Sequence, residues 1–555
     1  MTTEPAPRPE GERDAGDRPP GAPRPAAESS GAGGGLLPRD AHLLVGLGLP
    51  LVLLAVCLWR LREHTVDDAY ISFRYARNLA GGLGLVFNVG ERIEGYTSFL
   101  FTCLLAAGIK LGVAPTVGSK VLGAASALGS LGCTYAISAR LARPRAVPVL
   151  ATWLLAGSVP TAAYAVVGLE TSFFVFLLLL ATWLFLREIE RPRAFPWSGV
   201  ALALAALTRP EGPMFALLLL LFLGGAPPSG ANAAPAFPAA GAAGSGARAF
   251  LRGLAERRSL LRAALFLVPA LVHLGFRRAY YGAWLPNTLH AKTGDLQQQL
   301  TSGLAYVIDY AAHAGPFVFL VAGGVWLAIA QRRRDLGALA TIAAAQLAYV
   351  IVIGGDWMPQ HRLLVPFEPF CFLLVDVAVR ELAEARSRAT RVGLAAFAIY
   401  TAWARGRAFS EGARVIDDER QFWTSAAGGV ANWFEQHGSR GTLAVADMGF
   451  IAYATDYPIL DLLGLVDPVI SRLPGGYTQK TGPGYLERVF EVRPRYFVLV
   501  GGREDCFTLP FPSQQVLLRD PRFQLRYELA AQVRHSKAGV WCIFASRDAR
   551  DPRVP

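Results

Sequence analysis

Residues 66–97 read VDDAYISFRYARNLAGGLGLVFNVGERIEGYT and come shortly after an apolar run from His42 to Trp59. The apolar run is long enough to cross a bilayer, whereas the segment after it is polar, aromatic and punctuated by glycines. Within that segment Asp67, Arg74 and Asn78 recur at helical spacing, so one face of a short helix would carry a carboxylate, a guanidinium and an amide. We expect this face to suit a phosphorylated ligand.

Asp67 and Asp68 open the predicted helix. One acidic residue there would complement the helix dipole and cap free amides, so capping alone is one interpretation. A second carboxylate beside the bilayer and close to Arg74 and Arg77 favours a chemical use instead. It could act as a general base on a hydroxyl, and the pair could hold Mg²⁺ or Mn²⁺ against a phosphate. We therefore expect Asp67 and Asp68 to be catalytic, with metal binding as a further role.

The composition of the whole chain indicates a multi-pass membrane protein. Of its 555 residues, 53% are hydrophobic and 17% are charged, whereas soluble proteins average about 25% charged residues. The apolar residues fall in blocks of roughly 17–25, the length that spans a bilayer core. This pattern excludes a disordered chain and argues against a wholly soluble one.

Arginine-rich junctions set the predicted topology. Alternate junctions between apolar blocks carry clusters of arginine, which mark cytoplasmic loops. The result is about eleven spans in residues 41–409, with residues 61–97 as a catalytic first external loop. Residues 98–113 are apolar but short, and we interpret them as a juxtamembrane or re-entrant helix. The net charge of +12 has the same topological origin, so no nucleic-acid partner is expected.

Three segments differ in composition from this transmembrane domain. Residues 1–40 are predicted to be a disordered cytoplasmic tail, and residues 226–262 a flexible cytoplasmic insertion. Residues 410–555 are predicted to be an extracytoplasmic soluble α/β domain, with strand-like runs at 442–446, 496–500, 523–529 and 539–545. Cys506 and Cys542 lie in this domain and are a candidate disulfide if it is outside the cytoplasm.

Several motifs carry a resemblance to a known family. An aspartate-rich first external loop on a polytopic protein with an external C-terminal domain resembles the GT-C glycosyltransferases. More narrowly, seven stretches are similar to the mycobacterial terminal beta-(1→2)-arabinofuranosyltransferase family. They lie at residues 67–75, 94–97, 168–171, 207–212, 280–282, 285–288 and 354–358.

The resemblance implies transfer of a sugar, D-arabinofuranose in the first instance, from a polyprenyl-phosphate donor to a cell-envelope glycan. It places the enzyme in the bacterial cytoplasmic membrane with its active site outside. Such a donor carries its energy in the glycosyl phosphate bond, which fits a sequence with no nucleotide-binding glycine motif. No cofactor is required beyond the possible divalent cation, and nothing in the sequence indicates an oligomeric state.

Polar residues at the junctions predicted to face outward complete the candidate site. Donor phosphate binding is expected from Arg74, Arg209, Lys292 and Arg362. Substrate binding is expected from Glu94, Tyr96, Glu170, Glu211, Asn287, Asp356, Trp357 and His361. Simpler roles stay open for some of them. Arg209 and Glu211 could pair with each other, and Glu170 could cap the next helix. Lys292 could reach lipid headgroups, and Trp357 could sit in the interfacial aromatic belt.

Alternative functions also stay open at this point. Another GT-C transferase, of mannosyl or aminoarabinosyl type and acting on protein or lipid, would share the architecture. A transporter would place ionisable residues at mid-membrane, whereas here they cluster at the outer rim. A glycan-binding protein would tolerate loss of Asp67 and Asp68. The residues do not choose between an inverting displacement and a retaining transfer.

Overall fold

The computed structural model describes residues 39–141, 150–191, 193–224, 256–315, 317–384, 387–501, 505–535 and 539–550. The predicted tail at 1–40 lies outside the described residues except for its last two. The predicted insertion at 226–262 lies outside them up to residue 255, and its end forms the start of a helix.

The described part of the membrane region is helical. In chain order its helices are Arg39–Leu43, Leu44–Gly48, Leu49–Leu61, Asp67–Ala80, Phe99–Lys110, Pro115–Leu141, Leu150–Ala156, Val159–Val166, Thr171–Glu190, Trp197–Thr208, Gly212–Gly224, Arg257–Tyr281, Asn287–Lys292, Leu296–Ala314, Phe317–Ala330, Arg334–Ile353, Arg362–Leu364 and Glu368–Glu384. The Leu44–Gly48 segment is a π-helical turn, and Arg362–Leu364 is a short 3₁₀ turn.

Far fewer helices than expected could cross a membrane by themselves. Among the described residues, five are long and apolar enough: Ala41–Leu61, Pro115–Leu141, Thr171–Glu190, Arg257–Tyr281 and Asp335–Ile353. A sixth is obtained if the two helices of residues 296–330, bent by 101°, count as one span. The prediction of about eleven spans is therefore not confirmed.

Helix length explains the difference in span count. Several apolar blocks form short helices, such as the 12-residue Trp197–Thr208, which rises only about 18 Å against a hydrocarbon core of about 30 Å. The apolar block at 98–113 also forms a 12-residue helix, Phe99–Lys110. Hydropathy indicates only that a segment lies in an apolar environment. That environment can be the interior of a helical bundle as well as lipid, so an apolar block need not cross the membrane.

A long helix joins the membrane region to the C-terminal domain. Arg388–Phe422 runs on through a π-helical turn at Trp423–Ala427 into Gly428–His437. The domain then adds β1 (Leu443–Val445), β2 (Ile459–Asp461), β3 (Tyr496–Val500), β4 (Tyr527–His535) and β5 (Gly539–Ser546). Its other helices are Gly449–Thr455, Ile470–Arg472, Tyr485–Val492, Pro512–Arg519, Pro521–Arg526 and Arg547–Arg550.

The five strands form one mixed sheet in the order β2-β1-β3-β5-β4. Strand β1 pairs in parallel with β2 and β3, and β5 runs antiparallel to β3 and β4. Central β3 reads YFVLV and is almost wholly buried, as expected for a strand covered on both faces.

The predicted α/β class of this domain is confirmed. The strand predicted at 523–529 was partly wrong, because Pro521 starts a helix there and β4 begins at Tyr527. The short β2 was not predicted.

Cys506 and Cys542 form a disulfide that closes a 36-residue separation. Cys542 lies on β5, so the bond fixes the segment after β3 to the middle of the sheet. Both residues are fully buried.

We expect replacement of both cysteines by alanine to lower the stability of the C-terminal domain by about 2–4 kcal/mol, because the bond restricts the unfolded chain. Thermal unfolding of the full chain, followed by its tryptophan fluorescence, to which buried Trp541 contributes, measures this loss. The Cys57→Ala variant, which removes a thiol with no partner in the described structure, controls for loss of sulfur alone. An unchanged midpoint in the double variant would contradict the prediction.

Candidate active site

The helix predicted from the quoted stretch is present as Asp67–Ala80. Val66 precedes it in extended conformation, two acidic residues occupy its first turn, and Gly81 ends it. The helix is not a surface feature, since Asp67, Arg74 and Asn78 are all buried. It packs against the Gly449–Thr455 helix of the C-terminal domain. The candidate site therefore lies where the two parts of the chain meet.

Asp67 joins the two parts of the chain. Its carboxylate accepts hydrogen bonds from the amides of Gly449 (3.0 Å) and Phe450 (2.7 Å), at the start of the Gly449–Thr455 helix. A Cβ at position 449 would lie 2.0 Å from the Asp67 carbonyl oxygen, so the approach requires glycine. Asp67 thus caps a helix, but one from the other domain rather than its own.

Asp68 is the free carboxylate of the pair. No hydrogen bond to its carboxylate is present among the described residues. Burial raises its pKa, and the positive charges of Lys292 and Arg362 oppose that rise. The negative charges of Asp356 and Glu170 also act on it. Residues from three separate junctions therefore act on Asp68, as the predicted topology requires of an external site.

Asp447 supplies a second free carboxylate from the C-terminal domain. It follows β1, at the carboxyl end of a parallel strand. Burial, and then the charge of Asp68, raise its pKa to about 6. No hydrogen bond reaches this carboxylate in the described part of the chain. The carboxyl ends of parallel strands commonly face ligands. This rule points to Asp447, but it points equally to Asp461, which ends the parallel strand β2.

Those neighbouring aspartates are engaged within their own loops. Asp461 accepts hydrogen bonds from the amides of Leu463 and Val466. Asp467 accepts hydrogen bonds from the amide of Ile470 and from Arg488. Both therefore shape turns, in contrast to Asp447.

Arg74 holds the loop in place rather than facing a ligand. Its guanidinium donates to the carbonyl oxygens of Phe87 (2.9 Å), Ala452 and Tyr457 (2.7 Å). The first of these lies in its own loop and the other two in the C-terminal domain. Because each of its three nitrogens already donates to a carbonyl oxygen and the side chain is buried, these contacts favour a positioning role for Arg74 over the expected binding of the donor phosphate.

Arg209 forms a buried ionic triad with two acidic residues. Its Nη1 lies 2.7 Å from Glu170, and its Nε lies 2.6 Å from Glu211. All three side chains are buried. The structure therefore contains the Arg209–Glu211 pair that was considered as a simpler alternative, and Arg209 also pairs with Glu170. The triad lies beside the site, since the charge of Glu170 acts on both Asp68 and Arg362.

Asp356 and Arg362 form an ion pair across the loop between two helices, with Nε 2.6 Å from Oδ2. The negative charges of Asp356, Asp68 and Glu170 raise the pKa of Arg362, although burial alone would lower it. Trp357 is 54% exposed and makes no ring contact with the described site. The Nε2 of His361 contacts Asp309 Oδ2 at 2.8 Å.

The remaining predicted residues line the seam between the first loop and the C-terminal domain. Glu94 pairs with Arg277 at 2.6 Å, and the hydroxyl of Tyr96 lies 3.1 Å from that of Tyr281. Neither partner was singled out from the sequence as a site residue, although Tyr281 lies in one of the family-like motifs.

Asn287 and Lys292 occupy the short helix Asn287–Lys292 on the same seam. The Asn287 amide donates to the carbonyl oxygens of Gly464 and Leu465, so this side chain fastens the loop to the C-terminal domain. Lys292 has its Nζ 5.6 Å from the ring centre of Tyr477 and remains exposed. Lys292 is thus accessible to a ligand, whereas Asn287 is not.

We expect Asp67 to make stability depend on pH. Burial and the charge of Asp447 raise its pKa to about 8, although the two amides favour the charged form. The folded protein therefore holds a proton that the unfolded chain, with a pKa of about 3.9, has lost at neutral pH. The stabilisation from this group is complete below about pH 4 and is lost as pH rises through 8.

Thermal unfolding at pH 5 and pH 8 measures this dependence. The Asp67→Asn variant cannot titrate, so its midpoint should change less between the two pH values than that of the wild type. Glu435→Gln, which alters an exposed acidic residue of the C-terminal domain, should retain the wild-type change. Equal pH dependence in the wild type and Asp67→Asn would contradict the assignment.

The helical membrane region, the buried acidic loop helix and the docked α/β domain define a membrane protein with the GT-C glycosyltransferase fold. The structure of ArnT from Cupriavidus metallidurans bound to undecaprenyl phosphate aligns with 92% of this chain and 98% of that chain, with a TM-score of 0.55 and 13% sequence identity. At that identity the likeness is one of fold.

Among curated proteins, the chain is similar to two terminal beta-(1→2)-arabinofuranosyltransferases. It is 29% identical to that of Mycobacterium tuberculosis over 428 residues, covering 66% of this chain and 63% of the relative. It is 28% identical to that of Corynebacterium glutamicum over 425 residues, covering 65% of this chain and 55% of the relative. The chain thus spans less than two thirds of the length of these relatives.

The resemblance to this glycosyltransferase family is confirmed, and the relatives are enzymes by name. Residues 415–551 also match a family described as a domain of unknown function (DUF8728). This match covers the C-terminal domain, so the domain that supplies Asp447 is a recurring unit.

Proposed function

We propose that this protein is a membrane glycosyltransferase that moves a sugar, D-arabinofuranose, from a polyprenyl-phosphate donor to a cell-envelope glycan outside the cytoplasm. One observation carries the proposal: Asp68 is a carboxylate without a hydrogen-bond partner in the described structure, and it faces two cationic side chains at the junction of the two domains. Similarity to the arabinofuranosyltransferases supports the choice of sugar.

Lys292 and Arg362 are the proposed ligands of the donor phosphate. Both act electrostatically on Asp68, so a phosphate between them would lie next to the proposed base. Arg362 offers a planar guanidinium and Lys292 a mobile point charge, a combination suited to a phosphate oxyanion. The structural neighbour ArnT was solved with undecaprenyl phosphate, which supports a donor of this class. We assign Arg74 and Arg209 to positioning, because carbonyl and carboxylate oxygens already occupy their donors.

Asp68 is the proposed general base. It would accept the proton of the acceptor hydroxyl as that oxygen bonds to the anomeric carbon and the lipid phosphate leaves with the electrons of the broken bond. The positive charges of Lys292 and Arg362 would stabilise the departing phosphate. From a beta-linked donor, the beta linkage named for the relatives would require this attack from the face of the leaving group or a two-step covalent route, whereas from an alpha-linked donor it would require simple inversion.

Asp68 and Asp447 are better placed to hold a divalent cation than Asp67 and Asp68, the pair expected from the sequence. Both Asp67 oxygens accept amide hydrogen bonds, whereas Asp68 and Asp447 have free oxygens from opposite sides of the junction. These two residues would hold Mg²⁺ or Mn²⁺, and the ion would neutralise phosphate charge when bound.

We also propose that the site faces outward from the bacterial cytoplasmic membrane. The disulfide Cys506–Cys542 supports this orientation, because such bonds persist in oxidising compartments. The arginine-rich junctions, on the opposite side of the predicted topology, support it as well.

Transfer assays with the purified full chain in detergent or nanodiscs test the function. The wild type is given a radiolabelled polyprenyl-phosphate arabinose and an arabinan oligosaccharide, in parallel with polyprenyl-phosphate mannose and aminoarabinose. We expect labelled product from the arabinose donor and little from the others. Turnover of only mannose or aminoarabinose would reject arabinose while keeping the transferase. Folded protein that turns over none of these donors would reject the proposed function.

A further inference from the structure

A cluster of three metal-ligating side chains lies at the loop that carries Asp356 and Arg362. Asp309 and His313 come from the helix Leu296–Ala314, and His361 comes from the loop. One ligand atom from each residue lies within 4.8 Å of the others. The transfer chemistry described above does not use any of the three.

The helix presents two of the ligands together. Asp309 and His313 are four residues apart, so they share one helix face. The Asp309 side chain is 61% exposed and that of His313 is 71% exposed, so an ion can reach both from solvent. The histidine Nδ1 lies 3.7 Å from Asp309 Oδ1.

The loop brings the third ligand into place through an unusual backbone. Gln360 and His361 both have positive φ, at 60° and 49°, a conformation that costs free energy for residues other than glycine. This turn directs the His361 ring between Tyr306 and Tyr310, with ring centres 5.1 and 5.4 Å away. The ring is thereby held with Nε2 at 2.8 Å from Asp309 Oδ2.

These separations match the needs of a small cation. Four ligands around Zn²⁺ at about 2.0–2.1 Å stand roughly 3.3 Å apart from one another. His361 Nε2 lies 2.8 Å from Asp309 Oδ2, and His313 Nδ1 lies 3.7 Å from Asp309 Oδ1. The two distances, each to a different carboxylate oxygen, lie on either side of that value, and one ligand atom from each residue lies within 4.8 Å of the others. Two imidazoles and one carboxylate favour zinc and its first-row neighbours over Mg²⁺, which prefers oxygen ligands.

We propose that Asp309, His313 and His361 bind a Zn²⁺-class transition-metal ion, with the fourth position taken by water. In the structure His313 Nδ1 also lies 2.7 Å from the Asp309 backbone oxygen, and the ion replaces that hydrogen bond. The bound ion fastens the helix Leu296–Ala314 to the loop that presents Arg362. Binding does not depend on transferase activity.

The test measures binding to the purified full chain, with any affinity tag removed. Zn²⁺ is titrated against a chromophoric chelator, and Co²⁺ serves as a second probe through its visible absorption. The variants are His313→Gln and His361→Gln, and His437→Gln is the matched control because it changes an exposed histidine in the C-terminal domain. Since His313 is mostly exposed, its variant reports on binding even if His361→Gln fails to fold.

We expect one Zn²⁺ per wild-type chain, affinity at least about tenfold weaker in both variants, and wild-type affinity in His437→Gln. Zn²⁺ should raise the melting temperature of the wild type and not that of His313→Gln. The proposal is overturned if the wild type takes up no more Zn²⁺ than the chelator blank, or if His313→Gln binds as tightly as the wild type. Displacement of Zn²⁺ by equimolar Mg²⁺ would overturn the metal class.

Discussion

Replacing Asp68 with asparagine is expected to reduce the rate of sugar transfer by about 10²–10⁴-fold, the usual contribution of a general base. Asparagine keeps the size of the side chain but cannot accept the proton of the acceptor hydroxyl. Because no described hydrogen bond depends on the Asp68 carboxylate, the melting temperature should stay close to that of the wild type. The measurement is single-turnover transfer from the polyprenyl-phosphate sugar, together with thermal unfolding.

Two comparisons make the Asp68 result specific. Glu435→Gln changes an exposed acidic residue of the C-terminal domain and should leave the transfer rate unchanged. Asp67→Asn should alter both stability and rate, because Asp67 fastens the Gly449–Thr455 helix. Full transfer activity in a folded Asp68→Asn protein would remove Asp68 from the mechanism, even if the protein proved to be a transferase.

Replacing Arg209 with methionine is expected to destabilise the protein by about 3–5 kcal/mol. Methionine retains the length of the side chain but leaves the buried carboxylates of Glu170 and Glu211 without their shared partner. Breaking a buried ion pair costs more than the pair itself contributes, because the remaining charge stays desolvated. Unfolding by heat in detergent, or by a denaturing detergent titration, measures the loss.

The chain offers a matched exposed pair for comparison with Arg209. Arg407 lies 2.8 Å from Glu411 on an exposed helix face, and Arg407→Met should change the melting temperature little because water screens that pair. Similar effects of the two substitutions would show that the triad is not buried in the protein in solution. A triple variant that replaces the whole triad with apolar residues should recover part of the stability lost in Arg209→Met.

Local patterns in the sequence were sufficient to predict the loop helix and a helical membrane protein with a C-terminal α/β domain. The spacing of Asp67, Arg74 and Asn78 predicted a helix, and the structure has one at Asp67–Ala80. The arginine-rich junctions assigned Lys292 and Arg362, more than 200 positions beyond Asp68, to the same side of the membrane as Asp68. In the structure the charges of both act on Asp68, while the side of the membrane stays a prediction. Each of these predictions depends on helical spacing or on local composition, both of which can be read from a short segment of the sequence.

The separate roles of the residues in the candidate site could not be predicted from such local patterns. Asp67 and Asp68 are adjacent and chemically identical, and only the fold shows that one meets the amides of Gly449 and Phe450 while the other stays free. Arg74 had the chemistry of a phosphate ligand, but its guanidinium is used by carbonyl oxygens far along the chain. Such pairings depend on how distant segments pack, which neither hydropathy nor spacing records.

The hydrogen bond between Asp67 and Gly449 joins positions 382 residues apart, and this separation has a consequence for biosynthesis. At a translation rate of about 5–20 residues per second, the loop helix leaves the ribosome roughly 20–75 s before its partner exists. Throughout that interval Asp67 and Arg74 lack the groups that hold them, and Asp447 has not been made. With the site proposed above, the nascent protein is catalytically silent in the membrane until the domain that carries Gly449 and Asp447 has been made and folded.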